Sequence, residues 1–248
     1  MTAPEAAIRL DRVSKSFGAL KVLDDVSLDI GRAKAFCLLG RSGTGKSVAL
    51  RHIVGLVKPD SGRVLVDGRE ISALDRHGLS EARKGIGFLF QAAALFDSMS
   101  VGENVAFPLR RHTDLRESDI RTRVREKLAS VGLEDDLDKM PAALSGGMRK
   151  RVGLARAMAL DPSILLVDEP SAGLDPITTR EIDELLARHR DGGTTLVVVT
   201  HNIPSARFLG DELALLHDGR IVARGTAAEL DESDHPVVRA FMESEGGG

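Results

Sequence analysis

The residues Gly40-Arg41-Ser42-Gly43-Thr44-Gly45-Lys46-Ser47 fit the pattern G-x-x-x-x-G-K-[ST] at every specified position. Glycines at these places let the backbone wrap so that successive N–H groups point inward at a phosphate chain. The helix that follows adds its partial positive charge. In such a loop Lys46 reaches the outer phosphates and the Ser47 hydroxyl is a ligand for Mg²⁺. Val48 carries the nucleotide-binding stretch into the helix. Far downstream, an apolar run ends in Asp168-Glu169-Pro170. Asp168 can hold Mg²⁺ directly or through its water shell. Glu169 can accept a proton from, or orient, an attacking water. Alone, that pair is an ordinary acidic turn at a strand end; beside the phosphate loop it supplies the second half of nucleoside triphosphate chemistry.

A second anion-gripping stretch precedes it. In Leu144-Ser145-Gly146-Gly147-Met148 two glycines follow a serine at the expected start of a helix running to Leu160. Free N–H groups and the helix dipole make that start a phosphate site. One ATP needs one such loop, yet the chain carries two phosphate-gripping helix starts. A head-to-tail homodimer accounts for both, each ATP lying between Gly40–Ser47 of one copy and Ser145–Gly147 of the other. Hydrolysis then controls association of the copies, which is a mechanical output. Phe17, an aromatic in the expected turn Ser14-Lys15-Ser16-Phe17-Gly18, reads as a platform for the nucleotide base.

The elements that position these groups follow from periodicity. Ala35–Leu39 is an apolar run read as a buried strand, and residues 48–56 read as a helix, so the loop sits between strand and helix. Further strands are expected at Ile8–Val13, in parts of Val22–Ile30, and at Arg63–Gly68, Ile86–Phe90, Ser163–Glu169 and Thr194–Thr200. A hairpin is expected around Asp218-Gly219, and a helix over Ile177–Arg190. Ser100-Val101-Gly102-Glu103 is a capping box opening an amphipathic helix along Val101, Val105 and Leu109. Val124, Leu128 and Val131 mark a second. The charged run Arg121, Arg123, Arg125, Glu126 and Lys127 reads as its solvated face. Thr226 and His235-Pro236 start two short helices, and the tail from Glu245 is expected to be disordered.

Composition narrows the function. Thirty-four basic residues against thirty-seven acidic ones, a net charge of −3, argue against a nucleic-acid binder. Seven scattered histidines and a lone cysteine offer neither a zinc cluster nor a disulfide framework. Met1–Glu5 shows no basic-then-apolar leader pattern. No apolar stretch reaches the ~18–20 residues that span a bilayer. A cytosolic chain is expected.

These motifs, from about Ile8 to about Gly225, resemble the ATP-binding cassette (ABC) ATPases and occur in that family's order. The resemblance implies an α/β P-loop NTPase fold: a mixed β-sheet core, an antiparallel β subdomain and an α-helical subdomain. It makes residues 1–248 a single ATPase domain. The core comprises 8–91 and 161–225, the helical subdomain 92–160, and the C-terminal helices and tail 226–248. Gly40–Ser47 is similar to the Walker A loop, Gln91 to the Q-loop glutamine, and Leu144–Met148 to the signature. Ile164–Glu169 is similar to Walker B, Ser171–Asp175 to the D-loop and His201 to the switch histidine. The family implies that Phe17 stacks on adenine, that Gln91 links the γ-phosphate and Mg²⁺ to a membrane partner, and that His201 contacts the γ-phosphate. Asp175 joins the nucleotide-binding set on the same ground. Phe17 stands where tyrosine is commoner and Met148 where glutamine is; neither removes a phosphate-gripping group.

The stretch Phe90–Arg110, with Leu144–Arg156 and Gly173–Thr178, further resembles the MlaF-type ATPases of bacterial phospholipid transporters. That resemblance implies an integral-membrane permease pair (MlaE-like) and a periplasmic MCE-domain lipid-binding protein (MlaD-like). It also implies a STAS-domain protein (MlaB-like) on the helical region, and a place on the cytoplasmic face of the bacterial inner membrane. Ala92, Ala93, Leu95, Phe96 and Met99 are expected to form an apolar groove for a permease helix. The motor of a small-solute importer would carry the same ATPase residues. A soluble cassette acting on DNA or ribosomes calls for fused cassettes, coiled-coil insertions or basic extensions, which the sequence does not display.

Overall fold

A computed structural model describes residues 6–244. The strands are β1 (Ile8–Phe17), β2 (Leu20–Ile30), β3 (Ala35–Leu39), β4 (Ser61–Val66), β5 (Arg69–Glu70), β6 (Ile86–Leu89), β7 (Ile164–Asp168), β8 (Thr195–Thr200), β9 (Glu212–His217) and β10 (Arg220–Gly225). The helices are α1 (Lys46–Ile53), α2 (Arg76–Lys84), α3 (Val101–His112), α4 (Glu117–Ser130), α5 (Gly146–Ala157), α6 (Pro176–Asp191), α7 (Ile203–Leu209), α8 (Ala227–Asp231) and α9 (Pro236–Glu243). The strands form two sheets, one antiparallel with the order β2-β1-β4-β5 and one mixed with the order β10-β9-β3-β8-β7-β6. In the mixed sheet β6, β7, β8, β3 and β9 run parallel, and β10 closes the edge as an antiparallel hairpin with β9. This is the α/β architecture the motifs imply.

Both faces of the central strands are buried, which is why they read as unbroken apolar runs. Alternate residues serve two cores. Ala35, Cys37 and Leu39 of β3, Leu165 and Val167 of β7, and Leu196 and Val198 of β8 pack with the helices α3 to α6. Phe36, Leu38, Ile164, Leu166, Val197 and Val199 pack with α1 and the antiparallel sheet. Strand β3 as a whole therefore ties two layers together, and the loops leaving β3, β7 and β8 are fixed from both sides.

Between residues 101 and 157 the chain forms helices and their connections, with no strand. Ser100 closes the expected capping box, its hydroxyl accepting from Glu103 N while the Glu103 carboxylate accepts from Ser100 N. Val131 falls one place beyond α4 and caps it. Three elements differ from the sequence reading. Phe17 is the last residue of β1, paired with Leu20, rather than part of a turn. The helix α2 has no fully buried residue and packs on the core only through Leu79 and Ala82, too few apolar residues to mark a helix in the sequence. The helix α7 is only seven residues long. The tail from Glu245 lies outside the described residues.

Candidate nucleotide site

The loop between β3 and α1 closes around its own lysine. Lys46, 4% exposed, donates from Nζ to the carbonyls of Gly40 at 2.7 Å and Arg41 at 3.0 Å. Thr44 Oγ1 donates to the same Arg41 carbonyl at 2.9 Å. Gly45 takes a left-handed φ of 102°, and a Cβ there would stand 2.8 Å from the Val22 carbonyl, so only glycine lets the loop approach β2 this closely.

Parallel pairing brings the distant residues level. Leu39 lies opposite Thr200, and Asp168 opposite Val199, so the loops after β3, β7 and β8 open at one sheet end. Ligands of open α/β sheets bind at such carboxyl ends. There the Ser47 hydroxyl donates to Asp168 Oδ1 at 2.7 Å. Glu169 Oε1 faces Lys46 Nζ at 3.3 Å, and its Oε2 lies 2.9 Å from His201 Nδ1. Burial pushes the Asp168 carboxyl above its ordinary value, and the Ser47 hydrogen bond opposes the shift.

Glu169 has a φ of 45°, a left-handed conformation that costs a non-glycine residue roughly 1–3 kcal/mol. Hydrogen bonds hold it there. Its N–H donates to Val199 O at 2.9 Å, and its carbonyl accepts from Ala172 N at 3.2 Å and Lys150 Nζ at 3.0 Å.

The cleft above the loop is lined by Phe17, Val22, Ser42, Gly43, Gly45, Lys46, Ser47, Val48, Gln91, Glu169 and His201. Phe17, half exposed at the end of β1, presents its ring with Lys15 Nζ 5.5 Å from its centre. Val22 is an addition from β2; nothing but strand register marks it in the sequence. Ser145, Gly146, Gly147 and Asp175 do not line this cleft. Ser145 caps α5, its hydroxyl accepting from Met148 N at 3.2 Å. A Cβ on Gly147 would stand 2.5 Å from Thr178 Cγ2, so the signature lies directly against the start of α6. Asp175 caps α6. Its Oδ1 accepts from Ile177 N and Thr178 N, each at 3.0 Å, and its Oδ2 from Thr178 Oγ1 at 2.6 Å. These bonds hold its carboxyl below the usual carboxylate range, the Thr178 hydroxyl contributing most.

A hydroxyl beside a carboxylate is an oxygen donor pair suited to a hard cation such as Mg²⁺. Among the described residues no cluster of three or more His, Cys, Asp or Glu could hold a metal unaided. Ser47 and Asp168 therefore fit Mg²⁺ as a partial set, completed by phosphate oxygens and water. No described helix is long and apolar enough to cross a membrane.

The segment after Gln91 folds back beneath α3. Asn104, fully buried, accepts from Phe96 N at 2.9 Å and donates to the carbonyls of Phe96, Met99 and Ser100. Arg156 donates to the carbonyls of Ala93 and Ala94. A groove lies beside this segment, with Phe88, Phe90, Phe96, Phe107 and Pro108 in its lining. Of the five residues expected to form it, Phe96 does. Ala93 is buried, Leu95 packs against the helical core, and Ala92 and Met99 do not line the groove. Asn104→Ala strands these peptide groups and is expected to destabilise the chain by about 2–3 kcal/mol, read from thermal unfolding. An unchanged midpoint would show that the segment is held by other means.

The ABC transporter family matches residues 23–172, more than half of the chain, and the protein belongs to that family. It is an ATP-binding ATPase of that family. Among curated proteins, the "Probable ribonucleotide transport ATP-binding protein mkl" of Mycobacterium leprae is 46% identical over 237 residues, 95% of this chain and 68% of that protein. The "Intermembrane phospholipid transport system ATP-binding protein MlaF" of Escherichia coli is 41% identical over 232 residues, 93% of this chain and 86% of that protein. The "Methionine import ATP-binding protein MetN 1" of Rhodopseudomonas palustris is 42% identical over 249 residues, 97% of this chain and 66% of that protein. Among solved structures, the dimeric post-hydrolysis state of the ATP-binding cassette MJ0796 bound to ADP and Pi superposes with a TM-score of 0.82 at 35% identity. It covers 88% of this chain and 98% of that one.

Proposed function

We propose that this chain is the ATP-hydrolysing motor subunit of a bacterial transporter that moves phospholipid or a related lipid between inner and outer membranes. It works as a head-to-tail homodimer on the cytoplasmic face of the inner membrane, attached through a permease. The observation that carries the motor reading is the convergence of Lys46, Glu169 and His201 at one sheet end, with Ser47 and Asp168 beneath them. In the cleft the Glu169 carboxylate lies between Lys46 and His201. An incoming γ-phosphate competes for both, leaving Glu169 to take the proton of the attacking water. Gln91 and His201 orient that water and the phosphate, and the exposed Phe17 ring takes the adenine. Mg²⁺, when bound at Ser47 and Asp168 with Gln91 nearby, supplies positive charge to the phosphate oxygens. The pairing is supported by the dimeric MJ0796 cassette and by the absence of Ser145–Gly147 and Asp175 from the lining of the Lys46 cleft. In the dimer these residues serve the partner's nucleotide.

Lipid cargo is supported by the likeness to MlaF, and the partners follow from it: a permease seated in the Phe88–Phe107 groove, an MCE-domain protein across the membrane and a STAS-domain protein on the helices. The likeness to MetN favours a second reading, the motor of a small-solute importer. Purification of the tagged chain from membranes of its own host separates the two. Co-purification of a permease, an MCE-domain protein and phospholipid is expected. Recovery of a permease with a soluble solute-binding protein would transfer the assignment to the importer.

A further inference from the structure

The cleft and the signature are joined inside one chain by a buried cation. Lys150, 5% exposed, is the fifth residue of α5, whose first turn is the signature. Its Nζ donates to the backbone carbonyl of Gln91 and, at 3.0 Å, to that of Glu169. These carbonyls belong to the segments leaving β6 and β7, two neighbouring parallel strands. Burial disfavours the ammonium and pushes it below its ordinary value, with the charges of Asp168 and Glu169 opposing. An apolar side chain would fill this space without that penalty. What the ammonium provides is a directed bond to each of two segments that bear functional side chains.

The Glu169 bond matters most, because the left-handed backbone at that residue aims the carboxylate between Lys46 and His201. The side chain of Gln91 borders the same cleft. At the other end of the lever, Gly146 and Gly147 abut Leu174 and Thr178, so the first turn of α5 is packed against the segment that leads into α6. Helix α5 is a rigid body between these ends.

We infer that Lys150 is a positioning residue that transmits the state of the Ser145–Gly147 helix start to Gln91 and Glu169, so that the two nucleotide sites of the pair turn over cooperatively. This rests on the head-to-tail pairing proposed above. Capture of the partner's phosphate at the start of α5 shifts the helix, and the two Lys150 bonds carry the shift to the segments that serve the chain's own nucleotide.

The test is steady-state ATP turnover against ATP concentration for the full chain, with fluorescent ATP-analogue binding measured alongside. The wild type is expected to give a Hill coefficient above 1. Lys150→Met is expected to bring it to about 1, as for independent sites. Turnover should fall by on the order of 10²-fold from the misplaced Glu169, while analogue affinity stays within about twofold because the phosphate loop is untouched. Lys150→Arg keeps the donors and is expected to restore most of the turnover and the cooperativity, which a role in packing alone would not do. Should Lys150→Met not fold, Lys150→Gln, with a shorter amide donor, is expected to fall between the two. Wild-type turnover and Hill coefficient in Lys150→Met would overturn the inference, as would hyperbolic turnover in a wild type that dimerises. If Glu169→Gln stays monomeric under ATP, the pairing itself fails and the coupling with it.

Discussion

Glu169→Gln lowers ATP turnover by about 10²–10⁴-fold, the range set by loss of a general base, while the nucleotide stays bound. The substitution keeps the shape of the side chain. A glutamine carbonyl can still accept from Lys46, and its amide can face His201 Nδ1, so the contacts at 3.3 Å and 2.9 Å persist with one charge removed. What is lost is the proton acceptor. The ATP-bound pair then accumulates, because the step that opens it is blocked. Single-turnover hydrolysis measures the first effect, and size-exclusion chromatography with and without ATP measures the second. Wild-type turnover would remove Glu169 from the base role. A monomeric variant under saturating ATP would count against the sandwich.

This site was legible in the sequence to an unusual depth because its parts are short and contiguous. Gly40–Ser47 needs only a strand before it and a helix after it, and the unbroken apolar run Ala35–Leu39 marks the strand that leads into the loop. What the sequence cannot display is the registry that makes one site of residues 46, 169 and 201. That follows from β3, β8 and β7 lying side by side, an order that differs from the chain order. The pattern is silent at α2, whose only core contacts are the partly buried Leu79 and Ala82, and at the end of β1, where Ser-Lys-Ser has little strand preference and pairing with β2 overrides it. Lys150 could have been noticed. It falls three residues after Gly147 and four before Leu154, on a stripe where a solvated lysine does not belong, and all three are buried. Asn104 lies in the same position on α3, between Val101 and Val105.

Lys46→Ala is expected to weaken ATP binding by about two orders of magnitude, near 3 kcal/mol for the loss of a charge-assisted hydrogen bond to phosphate. The structure adds a second consequence. With the ammonium gone, the Gly40 carbonyl loses its Lys46 donor, the Arg41 carbonyl keeps only Thr44, and Glu169, 6% exposed, loses its cation while keeping His201. Part of any loss of activity would then reflect a loosened loop and not a missing phosphate contact. The two are separated by the melting shift that ATP produces. At a ligand concentration of about 100 Kd, binding adds roughly 2.7 kcal/mol to the folded state. For a chain of this size that raises Tm by about 5–10 °C. The wild type should show that rise. Lys46→Ala should melt lower without nucleotide, by the cost of the stranded Gly40 carbonyl and of a buried carboxylate left with His201 alone, and should gain almost nothing when ATP is added. A lower melting point with a full ATP shift would make Lys46 a strut of the loop that touches no phosphate, and the nucleotide would have to be gripped by the backbone N–H groups alone.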